Sequence, residues 1–142
     1  MATLLDAIGQ YLPTQTASFP AKEQLTLGVN LFLGRLPAEA PNQVVLIQQY
    51  LGAPPSFTMG NAVSAIEHPR IQVLVRGNPE DYPGAFDLCE KLRQILGGIT
   101  QEKNIDGVDI LRIEPTGTPN LLNYDEVNRP RFIVNFRVMV QQ

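Results

Sequence analysis

The stretch His68-Pro69-Arg70-Ile71-Gln72-Val73-Leu74-Val75-Arg76-Gly77 constrains this chain more than any other. Ile71, Val73 and Val75 alternate with Arg70, Gln72, Leu74 and Arg76. That is the period-2 signature of a strand with one buried face and one face only partly polar. After an Asn78-Pro79 break, the run Tyr82 to Leu96 sets Ala85, Leu88, Cys89, Leu92, Ile95 and Leu96 on one helical stripe. Pro83 sits where a missing N–H costs nothing, Glu80 and Asp81 suit the helix dipole, and Gly97-Gly98 is a stop signal. A strand followed at once by such a helix predicts the packing centre of a single domain spanning residues 1–142.

The remaining segments fit around that centre. Thr3 to Leu12 predicts a helix, with Thr3 and Asp6 at capping-box spacing, Leu4, Leu5, Ile8 and Leu12 on one face, and Pro13 as terminator. Leu25 to Leu33 alternates like a strand, with Gly28 a bulge or close approach. Gln43 to Tyr50 predicts a strand that is either central or covered from both sides, because Val44-Val45-Leu46-Ile47 is apolar throughout. Gly52 to Gly60, with Pro54-Pro55, reads as a loop whose large apolar side chains are Phe57 and Met59, and Asn61 to Glu67 as a short strand. Val108 to Glu114 is a further strand, with Leu111 and Ile113 facing one way and Ile110 and Arg112 the other. Pro115 to Pro130 reads as a long docking loop. The last strand, Arg131 to Val140, sets Phe132, Val134, Phe136, Val138 and Val140 on a core face opposite Arg131, Ile133, Asn135, Arg137 and Met139. The order predicts an α+β fold: a mostly antiparallel sheet of about five to six strands with two main helices packed on one face.

Composition excludes several classes. At 142 residues and 44% hydrophobic, the chain is long enough to build a core without staples. A net charge of −3 argues against tight nucleic-acid binding, which phosphate neutralisation drives. With no Trp, four Tyr and six Phe, stacking platforms for single strands are few. No apolar run approaches the roughly 18 residues that span a bilayer, so no membrane is expected. Met1-Ala2-Thr3-Leu4-Leu5-Asp6 lacks a basic region and carries an acid, so no signal peptide is expected. A single cysteine makes no internal disulfide.

Catalytic chemistry finds little to work with. His68, the one histidine, precedes a proline at the start of a strand, and Cys89 lies on the apolar stripe of the central helix. Asp106 and Asp109, with Asp125 and Glu126, are the acidic groupings that a metal-dependent enzyme would use, but both sit in turn-like sequence. No phosphate-binding or dinucleotide glycine motif is present. No catalytic residue, cofactor or metal is therefore expected. The arginines say more: Arg70 and Arg76 share the non-core face of one strand, Arg131 and Arg137 that of another, interleaved with Gln72, Leu74, Ile110, Ile133 and Met139. Such mixed Arg, Met and aliphatic surfaces occur at subunit interfaces, against the plainer reading of a solvated sheet face.

Three blocks carry a family resemblance: Asn30-Leu31-Phe32-Leu33-Gly34-Arg35-Leu36-Pro37, Glu67 through Gly77, and Asp125-Glu126 through Arg129-Pro130-Arg131-Phe132-Ile133-Val134-Asn135-Phe136. In order and spacing the chain resembles the tail terminator (minor capsid or tail completion) proteins of tailed bacteriophages. The resemblance implies a structural protein of the virion tail or neck, assembled in the host cytoplasm as a ring, a hexamer in this family. It implies that the ring caps the tail tube, ends elongation and meets the neck or head–tail connector, with DNA only passing through the lumen. No catalytic residues carry over. Arg70, Gln72, Leu74, Arg76, Arg131, Arg137, Phe57 and Met59 are then the expected subunit or tail contacts. A neck adaptor of the same fold, touching DNA through the arginine face, and a small metal-dependent enzyme are the alternatives.

Overall fold

The computed structural model describes residues 3–15, 19, 24–58 and 61–141, with 51, 53–58 and 61–65 given as strand backbone. Helix α1 spans Leu4–Tyr11 and runs into a single 3-10 turn, Leu12–Thr14, where Pro13 stops it. The capping box forms as expected. Thr3 Oγ1 accepts from the Asp6 N–H at 3.2 Å, and the Asp6 carboxylate accepts from the Thr3 N–H at 3.1 Å. Those bonds hold the Asp6 carboxyl below its ordinary pKa.

Among the described residues seven strands follow: β1 Leu31–Leu33, β2 Val44–Thr58, β3 Asn61–Arg76, β4 Lys103–Ile105, β5 Val108–Pro115, β6 Asn120–Tyr124 and β7 Pro130–Gln141. They form one sheet in the order β1-β2-β3-β7-β5-β4, with β6 on β7 as well. The sheet is mixed, in place of the mostly antiparallel sheet of five to six strands expected. β1 runs parallel to β2, whereas the β2/β3, β3/β7, β5/β7, β6/β7 and β4/β5 pairs are antiparallel. The connection 34–43 carries the chain back to the end of the sheet where β1 began, and that produces the parallel pair.

Helix α2, Tyr82–Gly97, lies between β3 and β4 in the chain. Asp81 caps it by accepting the Gly84 N–H at 3.1 Å. Its stripe Ala85, Leu88, Cys89, Leu92 and Leu96 is buried, and Ile95 packs at the margin. These side chains share one hydrophobic cluster with Leu4, Ala7 and Ile8 of α1 and with the sheet residues Val45, Ile47, Ile71, Val73, Val75, Phe132, Val134, Phe136 and Val138. Each large side chain buried there contributes about 1.5–3 kcal/mol of gross stabilisation. Phe132 is met edge-on by Tyr82 at 4.9 Å and by Phe86 at 5.7 Å, which seats the start of α2 on β7.

Four local expectations change, and one strand is added. Of Leu25–Leu33, only Leu31–Leu33 is strand, with Leu27 making an isolated bridge to Leu31. Gly28 has φ +85°, and Asn30 Oδ1 takes the Thr26 N–H at 2.7 Å, so a side-chain-stabilised turn replaces the ladder. Gly52–Thr58 is not a loop: β2 continues through it, with register shifts between Tyr50 and Ala53 and between Ala53 and Ser56 absorbing the prolines. At Gly52 an added Cβ would lie 2.3 Å from the His68 carbonyl oxygen, so the two strands approach there as only glycine allows. Ile110 is fully buried alongside Ile113, because a register shift between Ile110 and Arg112 turns it inward. The Pro115–Pro130 segment contains β6, and β4 is a further strand that the sequence pattern did not mark.

Candidate functional site

The face of β3 and β7 opposite the core is a ladder of paired residues: Arg70 with Arg137, Gln72 with Asn135, Leu74 with Ile133, and Arg76 with Arg131. The alternation therefore assembles the expected positions on two adjacent strands. Gln72 donates to Asn135 Oδ1 at 3.2 Å in the middle of the ladder. Two arginine pairs directly opposite each other are unfavourable unless their charge is met elsewhere. The two ends meet it differently.

At one end the charge is enclosed. Arg76 is buried at 9% exposure, donating from Nε to the Asn42 carbonyl at 3.1 Å and from Nη2 to the Pro41 carbonyl at 2.7 Å. Burial, helped by the nearby Arg129, pulls its pKa below the ordinary arginine value. Its paired Arg131 is half-buried and donates to Asn123 Oδ1 of β6 at 2.7 Å. On β2, Val44 and Leu46 are buried on this same side, in keeping with a strand covered on both faces. Arg76 thus holds the 40–42 connection against the sheet.

The other end is open. His68 and Arg70 of β3, Arg112 and Glu114 of β5, and Arg137, Val138 and Met139 of β7 line a cavity of about 310 Å³. Glu114 pairs with Arg112 at 3.0 Å and with Arg137 at 3.8 Å, all three well exposed. Arg70 has no ion-pair partner among the described residues. Arg112 and Glu114 were not among the residues singled out from the sequence. Their spacing of two on one strand was the signal that they share a face.

Phe57 lies on β2, where its backbone pairs with Ala65, and Met59 lies outside the described residues. All five side chains of β6 are exposed, with Leu121, Leu122 and Tyr124 among the large apolar groups, and Val127 is exposed in the turn beyond.

Of the catalytic and metal candidates, Asp125, Asp109 and Cys89 have structural duties, while Asp106 sits in the β4–β5 turn at φ +50°. Asp125 accepts the Val127 and Arg129 N–H groups at 3.0 and 2.9 Å and the Arg129 guanidinium at 2.7 Å. Burial pushes its pKa up, and those hydrogen bonds outweigh that and leave it below the usual carboxylate value. Asp109 takes the Asn104 amide at 2.5 Å across β4 and β5. Among the described residues no group of three His, Cys, Asp or Glu side chains is arranged to hold a metal ion. Cys89 is buried in the core, which pushes its thiol up to about 12. It is a protonated core group at neutral pH.

The family model for the bacteriophage tail terminator protein matches residues 6–142, and the chain belongs to that family. Its members are structural components of the virion tail. Among curated proteins, none matches the chain.

Proposed function

We propose that this protein caps the phage tail tube as a homohexameric ring, ends tail elongation and forms the surface on which head and tail join. The family match over residues 6–142 carries the reading. In it the two helices cover one face of the sheet, and the opposite face, with Arg70, Gln72, Leu74, Arg131 and Arg137, is turned toward neighbouring subunits. Arg76 serves that face from beneath, by holding the 40–42 connection. The exposed β6 strand and the far part of the β2/β3 hairpin, which includes Phe57, supply contacts to the tail tube and the neck or connector protein. DNA passes through the lumen.

The test is assembly. Negative-stain images of the purified protein mixed with tail tubes should show a six-fold ring at one tube end, and phage lacking the protein should make tubes of unregulated length. Tubes of normal length in its absence would refute the reading.

A further inference from the structure

The proposed ring leaves open how one subunit recognises the next. We infer that the open groove at Arg70, Arg112 and Arg137 is a carboxylate-binding site that receives an acidic side chain from a second copy of this chain, an inference that rests on the ring reading above.

The arginine ladder has two ends and one of them is unresolved. Arg76 and Arg131 are opposed, yet backbone carbonyls take the first and Asn123 takes the second. Arg70 and Arg137 are opposed in the same way, and Glu114 lies in the same row as the cross-strand neighbour of Arg137. That one carboxylate contacts two guanidiniums, Arg112 at 3.0 Å and Arg137 at 3.8 Å, while Arg70 has no partner among the described residues. Like charges held directly opposite are destabilising until an anion joins them. A guanidinium fork matches a carboxylate in two parallel hydrogen bonds.

The shape selects among anions. A cavity of about 310 Å³ with Met139 in its lining admits an apolar stem ending in a charged head, as a glutamate side chain has. A nucleic-acid backbone fits worse, because Glu114 projects a negative charge among the arginines and the chain carries a net charge of −3.

A second copy supplies the complement. Outside the groove the chain carries thirteen acidic and eight basic side chains, so a second copy offers carboxylates in excess over cations. A groove on one subunit that takes a carboxylate from a different surface of the next makes a heterologous contact, the kind that closes into rings.

The experiment follows self-association of the full chain, alone and on purified tail tubes, by sedimentation and electron microscopy at low and high salt. The double variant Arg70→Gln with Arg137→Gln should associate about tenfold more weakly at low salt with an unchanged thermal midpoint. Glu114→Gln, which leaves the groove more positive, should associate more tightly, an outcome that misfolding does not produce. Wild-type rings that form equally well in all three proteins would overturn the carboxylate site and leave the ring standing. A wild-type chain that never forms rings, even on tubes, would instead remove the ring reading, and with it this inference. Duplex DNA shifted by the wild type and released by the double variant would reassign the groove to nucleic acid and overturn the inference.

Discussion

Arg76 and Pro41 are 35 residues apart in the chain and joined by a 2.7 Å hydrogen bond from the guanidinium to a carbonyl oxygen. With a second bond at 3.1 Å to the Asn42 carbonyl, one side chain fixes the connection that follows β1 onto the start of β2 and the end of β3. The ladder on the outer face is thereby closed at the Arg76 end and open at the Arg70 end. The proposed contact with a neighbouring subunit belongs to the open end for that reason.

The closed end is a matter of stability. Arg76→Met removes the donors and leaves the carbonyls of residues 41 and 42 short of partners, which should cost about 1–3 kcal/mol. Arg137→Gln, at 63% side-chain exposure, should stay within about 0.5 kcal/mol of wild type. Urea unfolding midpoints compare the two. Equal stabilities would refute the distinction between the ends.

How far the fold was legible depends on which physical signal each segment carries. The strands around Ile71–Val75 and Phe132–Val138 bury every second side chain, and α2 buries one stripe, so their periods survive in the sequence. β6 buries neither face and therefore has no period to read. Leu25–Leu33 has the alternation of a strand, but the bond from the Thr26 N–H to the Asn30 side chain and the positive φ of Gly28 favour a turn over most of it. At Ile110 a single register shift reverses the facing of one side chain, and alternation counts through such a shift without detecting it. The outer-face arginines were visible as a pattern. Their division into an enclosed pair and an open pair was not, because it depends on the 40–42 connection and on Glu114, which arrive from distant parts of the chain.

The core should respond to truncation where the stripe of α2 is fully enclosed. Leu92 has no exposed surface, so Leu92→Ala should lose about 2–5 kcal/mol through lost burial and a residual cavity. Leu122→Ser, on the exposed face of β6, should change stability by less than about 0.5 kcal/mol. Thermal unfolding of the two variants checks the contrast.

Cys89 predicts a loss of stability in alkali. Burial raises its folded pKa to about 12, against roughly 8.5 for an unfolded thiol. The unfolded chain therefore releases a proton that the folded chain keeps. The stabilisation is complete below about pH 8.5 and declines as pH rises toward the folded value. Unfolding midpoints of wild type and Cys89→Ala should diverge in slope across that range. In native protein at pH 8, thiol reagents should label Cys89 only as fast as the chain opens, and rapid labelling would refute its enclosure.

Asp125 sets the opposite limb. Hydrogen bonds from the Val127 and Arg129 N–H groups and from the Arg129 guanidinium outweigh burial and depress its folded pKa. An unfolded aspartate titrates near 3.9. The folded chain thus stays ionised at pH values where the unfolded chain takes up a proton. Its contribution is complete above about pH 4 and is lost as pH falls through the depressed value. Asp125→Asn should destabilise the protein at neutral pH and flatten the acid side of the stability profile. Because this carboxylate organises the turn between β6 and β7, the variant should also speed amide exchange across Asn120–Tyr124. Unchanged exchange there, with an unchanged acid limb, would show that β6 holds its place without the turn.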